Sequence, residues 1–135
     1  MDRTKCNALK AQLAAQPEPL ALSIERFFDG NDDVASIGCN LLEDPGIASF
    51  REILTGLLQR PDVEAVYAQI SEIDPGDDFW PFTDIVLVVG SISVEALRDA
   101  VSALEPDEVG LISKDSISPA VAKEHQGPLL QIWWD

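Results

Sequence analysis

Apolar positions recur along the chain with two different periods. Ile47, Phe50, Ile53, Leu54, Leu57 and Leu58 are spaced by threes and fours, which places them on one face of a helix. Asp44 supplies an N-cap and Pro45 suits the first helical turn, where its missing N–H costs nothing. Pro61 ends the run, so a helix is predicted over 44–60. Val94, Leu97, Val101 and Leu104 repeat the pattern, with Ser93 as cap, Glu95 in the first turn and Pro106 as the stop. That predicts a second helix over 93–104.

Elsewhere the period is two. Val34 to Leu42 alternates and reads as a first strand. Val63 to Ile73 is a second, with Val66, Ala68 and Ile70 on one face and Tyr67, Gln69 and Ser71 on the other. Asp84 to Val89 is a third; its run Ile85-Val86-Leu87-Val88-Val89 is apolar on both faces, which predicts a central strand covered on both sides. Val109 to Ile112 and Leu129 to Trp134 complete the strands, with Lys114 to Gly127 read as a polar loop. Ser23 caps a short helix over 24–28, for which a strand is the alternative.

The order strand–helix–strand–strand–helix–strand, plus one extra C-terminal strand, predicts an α+β fold. Its antiparallel sheet carries two main helices on one face in the ferredoxin-like split βαβ order. Ile53, Leu57, Val66, Ile70, Val86, Val88, Leu97 and Val101 are expected in the core. Pro17-Glu18-Pro19 breaks the chain, dividing an N-terminal extension over 1–19, helical or poorly ordered, from a single domain over 20–135. The N-terminus lacks the continuous apolar stretch of a secretion signal, and no apolar run reaches the ~18 residues of a membrane span, so a cytoplasmic protein is expected. Cys6 and Cys39 are read as free thiols, with a disulfide between them as the alternative.

The 135 residues suit one domain with a core of its own. Charge changes the picture more. Asp and Glu number 24 against 9 Lys and Arg, a formal net charge of −15. Nucleic acid and anionic membrane both demand basic footprints, so neither is expected as a partner. Residues 61–97 hold eight acids and no Lys or Arg. Such a field accelerates encounter with a cationic surface.

Catalytic motifs are lacking. The sequence has no phosphate-binding glycine loop, no dinucleotide fingerprint, no zinc-helix motif and no nucleophile elbow, and no cofactor is expected. His125, the single histidine, is read as a solvated loop residue, with Cys39 as its one conceivable nucleophile. Asp29, Asn31 and Asp33 alternate as in a calcium loop, but Ala35 stands where the loop's glycine belongs and Asn40 where its last acid belongs. They form a weak calcium candidate beside the simpler reading of a solvated turn. Asp74, Asp77 and Asp78 precede Phe79 and Trp80, which makes these five the candidate partner-binding residues. The competing expectation is that Trp80 and Phe82 fold back onto the core. Glu105 to Glu108 is read as solvated loop.

These features favour a non-catalytic interaction module that docks a basic partner protein. The alternative is an enzyme or small-molecule binder using Asp or Glu carboxylates in a pocket. A homodimer is one expectation, because the third strand is apolar on both faces and Trp133 and Trp134 point to opposite faces; the alternative is that the N-terminal segment, with Leu9, Leu13, Leu20 and Leu22, covers this surface within one chain.

Overall fold

The computed structural model describes residues 2–38 and 45–134. Five strands form one antiparallel sheet: β1 (Leu20–Ser23), β2 (Val63–Glu72), β3 (Phe82–Gly90), β4 (Glu108–Leu111) and β5 (Leu129–Trp133). Their spatial order is β1-β2-β3-β5-β4. Three main helices, α1 (Arg3–Ala14), α3 (Ile47–Gly56) and α4 (Val94–Ala100), accompany the short helices α2 (Ile24–Phe28) and α5 (Pro119–Glu124). The result is an α+β fold.

The ferredoxin-like order is not confirmed. That order places a crossover-linked parallel pair at the sheet centre. Here every named strand pair is antiparallel, and β3 lies between β2 and β5. The discrepancy begins at the predicted first strand. Val34–Ser36 is a 3-10 turn capped by Asp33, and Ile37 makes only an isolated parallel bridge to Thr83. The rest of that strand, with Cys39, and the Asp44 cap lie outside the described residues. The first sheet strand is instead Leu20–Ser23, paired with β2 from Leu20↔Ile70 to Ser23↔Tyr67.

The predicted helices form, somewhat shortened. Helix α3 starts after Gly46, whose φ of 91° fits glycine, and continues into a 3-10 turn, Leu57–Gln59. Helix α4 is capped by Ser93, whose hydroxyl accepts from the Ala96 amide at 3.0 Å. Both helices face the same side of the sheet. Phe50, Leu54, Leu57, Leu97, Val101 and Leu104 share one buried cluster with Val66, Val86 and Val88. Of the expected core residues, Ile53 is partly buried and the others are fully so. Trp134 enters the same cluster, edge-on to Phe50 at 5.5 Å, with its indole N–H donating to the Leu104 carbonyl at 2.9 Å.

Helix α1 adds Cys6, Leu9 and Leu13 to that cluster, so its apolar stripe is continuous with the core. The predicted loop 114–127 contains α5, with Pro119 at its first turn. Ile117 and Val121 cover Leu87, Val89 and Leu129, the opposite face of the sheet. The two-sided apolar strand β3 therefore finds its second cover within its own chain. A second copy is not needed to bury that face. Among the described residues, no helix is long and apolar enough to cross a membrane.

Candidate functional site

The loop between β2 and β3 is pinned from two sides. From α1, Lys10 Nζ reaches the Asp74 carboxylate at 2.9 Å and the Gly76 carbonyl at 2.8 Å, while Arg3 pairs with Asp78. From the loop after α2, Asp33 accepts from the Trp80 amide at 3.0 Å. The Cys6 thiol donates to the Phe79 carbonyl at 3.5 Å, and burial pushes that thiol's pKa up, so it is an inert packing group here. Lys10 holds the Asp74 carboxyl below the usual carboxylate range by its hydrogen bond.

These anchors sort the five candidate residues. Trp80 is fully buried in the core, as the fold-back expectation required, and borders a cleft. Phe79 stays 47% exposed. Asp77 is exposed, whereas Asp74 and Asp78 already hold cations from α1. Gly76 has φ 157°, and a side chain there would approach the Phe79 ring to 2.9 Å, so glycine lets the ring lie against the turn.

The cleft measures about 350 Å³ and is lined chiefly by Asp33, Glu72, Pro75, Phe79, Trp80 and Phe82. Three aromatic side chains thus meet two carboxylates. The Asp33 oxygens accept from the Ala35 and Trp80 amides, which fixes that carboxylate in place. Glu72 has no ion-pair partner among the described residues. The Trp80 indole N–H is buried and meets no acceptor there either.

The calcium candidates are directed at different protein donors. Asp29 pairs with Lys5 Nζ at 2.6 Å, and that hydrogen bond lowers its carboxyl pKa. Asn31 is buried; its amide donates to the Phe27 carbonyl and the Ser36 hydroxyl, and its carbonyl accepts from the Asp33 amide. Asp33 serves Trp80 and Ala35. Among the described residues, no group of three or more His, Cys, Asp or Glu side chains converges to hold a metal ion.

A second constellation was missed in the sequence. His125 is no solvated loop residue. It closes α5, lies 8% exposed, and sits edge-on to Tyr67. Its Nε2 is 2.7 Å from the Tyr67 hydroxyl and its Nδ1 is 3.2 Å from a Glu64 carboxylate oxygen. A phenol donating to Nε2 and an Nδ1–H donating to Glu64 satisfy all three groups. Simple alternation puts Glu64 and Tyr67 on opposite faces. The pairs Val63↔Gly90 and Ala65↔Val89 leave Glu64 as an extra, bulged residue, and the bulge re-aims its side chain. A hydroxyl, a base and an orienting carboxylate form the outline of an activated nucleophile. The chemistry runs the other way here. Burial, followed by the charges of Glu124 and Glu64, raises the Tyr67 pKa, so the phenol keeps its proton and acts as a donor.

Two comparisons bear on kinship. A family model described as "Uncharacterized protein YfbO family" matches residues 4–129. The Escherichia coli (strain K12) protein described as "Uncharacterized protein YfbO" is 32% identical over 93 residues, which cover 68% of this chain. The match spans 64% of that protein, a little under two thirds of its length. No solved structure matches the chain.

Proposed function

The chain belongs to the YfbO family, and we propose that it is a non-catalytic docking module for a basic partner protein. The cleft beside Phe79 carries this reading. An exposed aromatic ring stands next to a buried one, with carboxylates at the edge, on a chain of net charge −15. Aromatic anchors supply contact area, and a surrounding negative field steers a cationic surface toward them. Asp33 spends its oxygens on backbone amides, which suits a fixed recognition charge better than a proton carrier.

The test is affinity capture from native lysate at low salt, run in parallel with wild type, Phe79→Ala and Leu111→Ser. Leu111 is 72% exposed at the far edge strand β4 and serves as the control hydrophobe. A basic protein retained by wild type and Leu111→Ser, lost by Phe79→Ala and released by salt supports the proposal. Recovery that is indifferent to Phe79, or recovery of no basic protein, refutes it.

A further inference from the structure

We infer that the cleft between the β2–β3 loop and the Asp33 turn is a socket for a single arginine side chain of the partner. This rests on the docking reading and narrows it to one chemical group.

Size comes first. At about 350 Å³ the cleft lies at the small end of ligand pockets, which run roughly 300–1,000 Å³. It admits one long side chain and excludes a folded element. The walls then select the chemistry. Phe79, 47% exposed, and Phe82, half-buried, offer ring surface beside the fully buried Trp80, and Pro75 offers an apolar surface for a methylene stem. Asp33 and Glu72 place negative charge on the same cleft. A guanidinium is the cation suited to both, because its plane stacks on aromatic rings while its N–H fork meets carboxylates. A neutral apolar side chain gains nothing from the two negative charges, and an anion is repelled by them.

The neighbouring acids give independent support. The same loop already receives cations from its own chain, with Lys10 on Asp74 and the Gly76 carbonyl and Arg3 on Asp78. Those two acids are thereby engaged at the loop's α1 side. Glu72 and Asp33, on the cleft side, have no cationic side chain on them among the described residues.

The experiment titrates the full chain with three capped amino acids at physiological salt: arginine, lysine and citrulline, the last having nearly the shape of arginine without its charge. The readouts are the NMR shifts of the Trp80 indole N–H and the Phe79 and Phe82 rings. Capped arginine is expected to bind with a Kd on the order of 1–10 mM, as a single charged, stacked group does. Citrulline should bind at least about tenfold more weakly, and lysine more weakly than arginine. Phe79→Ala and Glu72→Gln, both changes at exposed positions, should each weaken arginine about three- to tenfold. Equal binding of arginine and citrulline, parity of lysine with arginine, or shifts confined to other acidic segments such as 105–108 would overturn the inference. Its failure is separable from that of the docking reading. If Phe79-dependent capture of a basic protein persists while capped arginine leaves the cleft unmoved, the socket is wrong and the docking surface stands. If arginine binds as described and no basic protein is captured, the socket stands and the docking reading falls.

Discussion

Replacing Tyr67 with Phe deletes one oxygen from a partly buried chain of hydrogen bonds and changes little else. The ring stays, and so does its edge-on contact with His125 at 5.6 Å. What is lost is the 2.7 Å bond to His125 Nε2, on a ring that is 8% exposed and can recruit little water in exchange. A buried polar group stripped of its partner costs about 1–3 kcal/mol, more than the net worth of the bond itself. For a chain of this length each kcal/mol moves Tm by roughly 3–5 °C. The neighbouring link should behave differently. Glu64 is 57% exposed, so Glu64→Gln trades one solvated acceptor for another and should cost under about 1 kcal/mol. Urea unfolding of Tyr67→Phe, His125→Ala and the double variant closes a thermodynamic cycle. A coupling of about 1 kcal/mol or more is expected, and hydrogen exchange should quicken in α5, the segment His125 ties down. A Tyr67→Phe cost below about 0.5 kcal/mol with additive singles would refute the picture of a load-sharing network.

Three further outcomes follow from the structure. Leu57→Ala should lose about 2–5 kcal/mol in denaturant unfolding, because the side chain, at the start of the 3-10 turn that continues α3, is buried in the core. Asp74 and Asp29 have pKa values lowered in the folded state by Lys10 and Lys5, so their contribution is present above the unfolded carboxylate value of about 4 and is lost as pH falls through the folded value. Protection factors in α1, each exchange rate taken relative to the intrinsic rate at the same pH, should therefore fall in acid, and Asp74→Asn should flatten that dependence. Millimolar calcium should leave Tm unchanged, since the side-chain oxygens of Asp29, Asn31 and Asp33 already accept from separate protein donors, Lys5, the Asp33 amide and the Trp80 and Ala35 amides.

Much of the scaffold is legible in the sequence. The 3.6-residue spacing in 47–58 and 93–104 and the alternation in 63–72 marked α3, α4 and β2, because each buries a single face and the buried side writes its own period. Local chemistry misled at Val34, where alternation continued but Asp33 capped a 3-10 turn and drew the chain out of the sheet. Helix α5 was hidden because six residues show too little periodicity, leaving only Pro119 as a signal. The site divided the same way. An exposed Phe79 among acids was readable from composition. The cleft's Asp33 and Glu72 come from segments far apart in the chain, and the Glu64–His125–Tyr67 chain depends on a bulge that breaks the very alternation used to assign faces.

The most direct test of the docking account is the affinity between the full chain and the basic protein it captures, measured at two ionic strengths for wild type, Phe79→Ala and Leu111→Ser. The account predicts weaker binding at higher salt for all three, a loss of about tenfold or more for Phe79→Ala, and no change for Leu111→Ser, with every variant folded by circular dichroism. An affinity that ignores salt, or that survives Phe79→Ala intact, would contradict it.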